Sequence, residues 1–280
     1  VALKHIFKEV PANGGCLEPI EFIIPEDSVL HAKAPKPVGG YTETVLRLID
    51  VVFLALSQSC PTKVNGSAYG TINALSLAGY RQDGKRWVMF SFFGGGLGGN
   101  PEGNGLNHGN APISTATIPP AEILESAYPV AFTQWGLRPD SGGAGEKRGG
   151  LGAIYEIELL EKEAELFFFG ERGRFAPKGV LGGGEAAKTV FSYEADGQFK
   201  TPELVSKLVG KSIREGERVR IESPGGGGYG DPKKRLLEDV ARDVQLGYVT
   251  PEAAVRDYGV ELEQLNLANE AIQKDGEVAS

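Results

Sequence analysis

Cysteine, methionine and histidine are scarce in this chain, with two, one and three residues in 280. Cys16 and Cys60 stand far apart without a CxxC spacing. That argues against a disulfide framework and for a reducing compartment. His5, His31 and His108 form no HxxxH or HExxH pair, which argues against a self-contained zinc site. Long apolar runs are missing too: Val51 to Leu56 is the longest, far short of a membrane span. An excess of basic charge is also lacking. The net charge is −8 and the pI near 5.1, so no basic face gathers phosphates and nucleic-acid binding is disfavoured. No secretory or targeting segment is read at the start. The expectation is a soluble, cytoplasmic protein, long enough for one large domain or two smaller ones.

Glycine is what the chain has in abundance. Forty glycines are present, about double the usual share of roughly 7%. They are densest between Phe92 and Gly152, in the words FFGGGLGGNPEGNGLNHGNAP and LRPDSGGAGEKRGGLG. Ordered glycine costs backbone entropy, so the cluster implies tight turns, positive φ angles or backbone pressed close to something. Gly94, Gly96 and Gly99 spell GxGxxG after a β-like run, but a dinucleotide site needs a helix to begin there. Asn100-Pro101-Glu102-Gly103 follows instead, and no GxxxxGK[ST] word occurs. Neither pattern predicts a nucleotide held by this chain.

The apolar patterning predicts an α+β fold in three parts: an α/β portion over 1–127, a β-rich sandwich or barrel-like domain over 128–232, and a helical tail over 233–280. Leu3, Ile6, Phe7 and Val10 fall at helical spacing with no capping residue before them, as if the chain began inside an element. A strand is expected over 20–24, then a proline-rich loop to Gly40. Residues 42–59 give the best helix, and its apolar residues nearly encircle it, which predicts burial on all sides. β-like runs over 71–77 and 87–93 flank Asp83-Gly84, a hairpin signal. A helical turn over 121–126 follows Pro119-Pro120. Further β-runs are expected over 130–137, 153–160, 165–169, 190–193 and 218–221. Tyr155, Ile157 and Leu159 alternate with Ile154, Glu156 and Glu158, so the first set should face a core. In the tail, helices over 233–247 and 251–257 meet where Thr250 caps and Pro251 takes the first helical position. Residues 270–280 are expected to fray.

Several residues could carry chemistry. His108 stands between Asn107 and Asn110 in a glycine-shaped loop. It is a candidate general base with flanking amides, a metal ligand shared with another chain, or a loop-fixing hydrogen-bonder. Arg138, Asp140 and Arg148 flank a Ser-Gly-Gly-Ala-Gly turn, either to bind substrate or as a salt-bridged turn. Glu171 and Arg172 follow a predicted strand, with Arg174 nearby, and could gather an anion at a sheet end or stand exposed in solvent.

Taken together, the words Pro11-Ala12-Asn13-Gly14-Gly15-Cys16, Leu137-Arg138-Pro139-Asp140-Ser141-Gly142-Gly143-Ala144-Gly145, Arg148-Gly149-Gly150-Leu151-Gly152, Glu171-Arg172 and Ser223-Pro224-Gly225-Gly226-Gly227-Gly228-Tyr229-Gly230-Asp231 resemble the hydantoinase B/5-oxoprolinase family. The tail word Gly247-Tyr248-Val249-Thr250-Pro251-Glu252 fits the end of that family. The resemblance implies the C-terminal half of a B-type subunit working with an A-type subunit that binds ATP and Mg. It also implies an N-terminal half that holds a divalent metal, Zn or Mn, and so a cytoplasmic hetero-oligomer. The implied reaction opens cyclic amides (hydantoin, 5-oxoproline or a lactam) after the partner activates the carbonyl. Related members carboxylate ketones. Where many amide-hydrolysing members carry His-x-His-Met-Thr-Asn, this chain reads Asn107-His108-Gly109-Asn110-Ala111, so carboxylation stands beside hydrolysis. A purely structural part in such a complex is the third reading.

Overall fold

A computed structural model describes residues 1–70, 72–110, 119–268 and 270. The expected fraying falls, apart from residue 270, outside the described residues. Two antiparallel sheets organise the chain, and among the described residues no barrel closes, so the α+β class holds and the β-rich part is sandwich-like. Strands β1 (Ala74–Tyr80) and β2 (Arg86–Phe92) make the hairpin signalled by Asp83-Gly84, with Gly84 at φ 79°. They join β5 (Glu163–Phe169) and β8 (Lys207–Arg214) in the order β2-β1-β5-β8. That sheet therefore takes strands from both sides of residue 127. The second sheet runs β3 (Val130–Leu137), β4 (Ala153–Leu159), β9 (Arg218–Glu222), β6 (Val190–Ala195) and β7 (Gln198–Lys200).

The core forms where strands alternate in burial, most regularly in β2, β5 and β9 and largely in β4. Tyr155, Ile157 and Leu159 are buried as their spacing predicts, and they pack with Leu75, Leu77 and Phe168. Phe168 of β5 stacks on Phe191 of β6 at 3.9 Å between ring centres, joining the two sheets. On strand β4 the polar Glu156 is held by ion pairs. Glu156, only 7% exposed, meets Arg218 at 2.8 Å and Arg220 at 3.4 Å. Strands β7 and β8 escape the sequence reading because they are edge or weakly buried strands. β8 also carries Gly210 at φ 65° beside a register shift, which breaks the alternation.

Two expectations near the start are corrected. Residues 20–24 form no strand; Phe22 and Ile23 lie in exposed coil between Pro19 and Pro25, whose missing N–H groups interrupt any ladder. The helix α2 (Tyr41–Leu56) exists, but it is not buried all round. Leu46, Ile49 and Phe53 pack with Ile6 of the short helix α1 (Ala2–Ile6), while Leu48 and Val51 face outward. The helical turn α3 (Ala121–Ala127) lies where expected. In the tail, α4 (Leu237–Gln245) and α5 (Pro251–Ala253, running on as a wider turn through Ala254–Tyr258) share a small core around Val240, Ala241 and Tyr258. Thr250 caps α5 by accepting from the Ala253 N–H.

The glycine words are pressed against one another. Three successive donors, Gly226, Gly227 and Gly228, reach the carbonyls of Gly150, Ser67 and Gly184 in three different segments, at 2.9, 2.9 and 3.0 Å. That threefold fan is the geometry of polyproline-II-like chains with three residues per turn, which use no internal hydrogen bonds. Contact is close enough to forbid a side chain. A Cβ on Gly226 would lie 1.9 Å from the Leu97 carbonyl oxygen, and one on Gly98 would lie 1.8 Å from that of Gly66. Neither glycine has positive φ, so the requirement is space rather than an unusual backbone angle.

Candidate functional site

The bundle settles what the GxGxxG word does. The N–H groups of Gly95, Gly96, Leu97 and Gly99 donate to Gly109, Pro224, Leu106 and Gly227. Donors spent in this way are not free to cradle a phosphate.

His108 hangs from this bundle. Its backbone takes φ 49°, and its N–H donates to Leu151 at 2.8 Å. The ring enters an aromatic cluster of Phe93, Trp135 and Tyr155. Trp135 Nε1–H donates to His108 Nε2 at 3.2 Å, and the Tyr155 hydroxyl lies 2.5 Å from the same nitrogen. An indole can only donate, so Nε2 carries no proton and the imidazole is neutral with its proton on Nδ1. Burial holds its pKa below the ordinary imidazole value. Asn107 fixes the same loop through Oδ1, which accepts from the Leu151 N–H at 2.9 Å and from Arg148 at 3.3 Å. Asn110 is half-buried at the end of the described loop.

A second group assembles where α2 meets the chain leaving β5. Arg47 and Asp50, one turn apart on α2, are joined at 2.9 Å. Gly170 ends β5, and Arg172, at φ 63°, turns its side chain so that Nη2 donates to Asp50 at 2.5 Å and to the Ala68 carbonyl at 3.2 Å. Glu171 lies 3.3 Å from Arg47 Nε. Arg47 is within ion-pair distance of two carboxylates, yet none of its nitrogens makes an aligned hydrogen bond, and Arg172 Nε is likewise buried without a partner. Burial pushes the Arg172 guanidinium down to about 10, with Arg47 adding to the effect. Burial also raises the carboxyls of Asp50 and Glu171 against the pull of these arginines. Beside the group opens a cleft of about 370 Å³, lined among others by Arg47, Glu171, Arg172, Arg174, Phe175 and Lys207.

The other named residues lie elsewhere, and each holds a structural partner. Arg138 donates to the Lys188 carbonyl at 2.7 Å and pairs with Glu222 at 3.3 Å. Asp140 accepts from both the N–H and the hydroxyl of Thr250 at 2.8 Å, tying the turn to the tail. Arg148, 3% exposed, meets Asp243 at 3.1 Å, and Arg235 meets the same carboxylate oxygen at 2.8 Å. None of the three lines the Arg172 cleft. Sequence reasoning missed Arg47, Asp50 and Lys207. The available signal was a charged pair one turn apart inside an otherwise apolar helix.

Among the described residues, no three His, Cys, Asp or Glu side chains converge in a way that could hold a metal ion. The resemblance assigns its divalent metal to the N-terminal half of a B-type subunit rather than to these residues. No described helix is long and apolar enough to cross a membrane.

Comparison with known proteins follows the same lines. A family model for hydantoinase B/oxoprolinase matches residues 1–232. An uncharacterized protein of Methanocaldococcus jannaschii is 33% identical over 93% of this chain and 45% of its own length. The crystal structure of an ATP-dependent caprolactamase from Pseudomonas jessenii superposes with a TM-score of 0.81 at 28% identity, covering 96% of this chain and 49% of that one. A nucleotide-free acetone carboxylase shares the fold, with a TM-score of 0.66 at 23% identity over 82% of this chain and 37% of that chain. The chain spans about half the length of several curated relatives it matches.

Proposed function

We infer that this chain, which belongs to the hydantoinase B/oxoprolinase family, supplies part of a B-type subunit of an ATP-dependent enzyme that hydrolyses cyclic amides. The observation that carries this reading is its likeness, over nearly its whole length, to an ATP-dependent caprolactamase. The A-type partner binds ATP and Mg and activates the carbonyl of a hydantoin, 5-oxoproline or lactam. The partner moves the γ-phosphoryl group of ATP to the carbonyl oxygen and releases ADP. Water then adds to that carbon, the ring C–N bond breaks with the nitrogen taking up a proton, and inorganic phosphate leaves as the carboxylate forms. The divalent metal belongs to the remainder of the B-type polypeptide. The assembly is a cytoplasmic hetero-oligomer.

In this reading the Arg47–Glu171–Arg172 cleft binds the activated, anionic species. Arg172 Nε and the Arg47 guanidinium are buried donors at its wall, and Arg174 and Lys207 add positive charge. Donors fixed in advance stabilise developing negative charge without having to reorganise. A proton-transfer role for His108 runs through Nδ1, because Nε2 is occupied by Trp135. Asn107 and Asn110 frame that loop, while Arg138, Asp140 and Arg148 position the glycine bundle. The test is ATP turnover of the assembled complex with a hydantoin, 5-oxoproline or lactam, against a ketone plus bicarbonate. Turnover with the cyclic amide alone is expected. Turnover that requires bicarbonate and a ketone would replace hydrolysis with carboxylation.

A further inference from the structure

Helix α2 carries two apolar stripes, and the chain covers one of them. Leu46, Ile49 and Phe53 are buried. On the opposite side Tyr41, Leu48 and Val51 follow at steps of seven and three, and are 65%, 38% and 57% exposed. A helix with apolar residues on two opposite sides belongs between two packing partners. The segment before it repeats the pattern without any secondary-structure core. No described residue from 7 to 45 is buried, and Phe22, Ile23 and Val29 are 68%, 82% and 82% exposed. Hydrogen bonds there stay local, as in Ile20 N–H to Leu17, Ser28 N–H to Pro25 and His31 N–H to Ser28. Residues 17–32 also hold Glu18, Glu21, Glu26 and Asp27 with no Lys or Arg.

We propose that the outer stripe of α2 and the segment before it form one continuous docking surface for the remainder of the B-type polypeptide. The proposal rests on the reading of this chain as part of a B-type subunit. The occupant follows from length, since this chain spans about half of its curated relatives and of the solved caprolactamase chain. A comparable mass of family polypeptide is therefore available to cover this face. Apolar residues at steps of seven and three suit a partner helix laid along α2. The acidic run suits a basic margin on that partner. Exposed apolar side chains along one helix face and along the segment leading into it mark an interaction site rather than a solvated face.

The test expresses this chain and the remaining B-type portion as separate chains and measures their association. L48D/V51D, which puts two charges into the apolar stripe, should weaken association by about 10²-fold or more. F22D/I23D should weaken it in the same direction. These positions touch no core, so the thermal midpoint of the isolated variants should match wild type. Where a variant does lose its fold, the milder L48S/V51S serves in its place. Amides over 7–45 should also become protected from hydrogen exchange when the partner is present. Variants that associate like wild type, or a free chain that dimerises through this stripe, would overturn the proposal. A complex that needs this surface but turns over neither a cyclic amide nor a ketone leaves the docking surface standing and removes the functional reading instead.

Discussion

His108 has a single ring nitrogen left for chemistry, because its Nε2 already accepts from Trp135. His108→Ala in the assembled complex should lower turnover by about 10²-fold or more if Nδ1 moves a proton. Unchanged turnover with normal assembly would confine the residue to fixing its loop. Its depressed pKa has a consequence for stability. The unfolded imidazole binds a proton more readily than the folded one. The contribution is therefore fully present above the ordinary value of about 6.5 and is lost as pH falls below it. Thermal midpoints at pH 7.5 and 5.5 should differ more for wild type than for His108→Gln, whose side chain does not titrate. The buried carboxylate of Asp243 makes a second case. It lies between Arg148 and Arg235, whose side chains are 3% and 2% exposed. Asp243→Ala leaves two guanidinium groups buried and unpaired, at a cost of about 3–5 kcal/mol in urea denaturation.

Elements differ in how much of them the sequence discloses, and the reason is range. Asp83-Gly84 announces its hairpin, and the Tyr155-Ile157-Leu159 alternation announces which face of β4 is buried, because each signal lies within a few residues. The glycine bundle is different. Composition says that something presses on the backbone, but Gly226 packs on Leu97, far away in the chain, and no local pattern names that partner. Helix α2 shows the converse: its pattern reports burial that this chain supplies on one side only. The bundle gives a sharp substitution test. Gly226→Ala puts a methyl 1.9 Å from the Leu97 carbonyl oxygen, and the nearest atoms it meets are all backbone of Leu97 and Gly98, with nothing flexible to yield. The loss should exceed about 4 kcal/mol, the range reserved for gross steric or electrostatic faults. Gly136→Ala in β3, where a Cβ meets nothing within 4 Å, should be neutral or stabilising by up to about 1 kcal/mol. Chemical denaturation of the two variants checks both.

At the scale of the whole molecule, the tail holds the glycine bundle by charge as well as by apolar contact. Asp140 is satisfied by Thr250, and Arg148 by Asp243. Truncation after residue 232 should therefore lower the thermal midpoint and leave the bundle open to proteolysis. The candidate site was half legible for a similar reason. Glu171 and Arg172 stand out as charges after a strand, whereas Arg47 and Asp50 join them only once α2 folds back from over a hundred residues away. Their meeting depends on Gly70, where a Cβ would touch the Arg172 side chain at 3.2 Å and φ is 131°. The bundle also changes what counts as a loop. Segments such as 223–228 are neither helix nor strand, yet their amides are bonded to other segments and their glycines are buried. Hydrogens on such amides leave only when several segments part at once, so Gly226, Gly227 and Gly228 should exchange with deuterium as slowly as the central strands. A deletion of one residue there would turn every following amide by a third of a rotation toward the wrong neighbour, so chain length in these words is as constrained as residue identity.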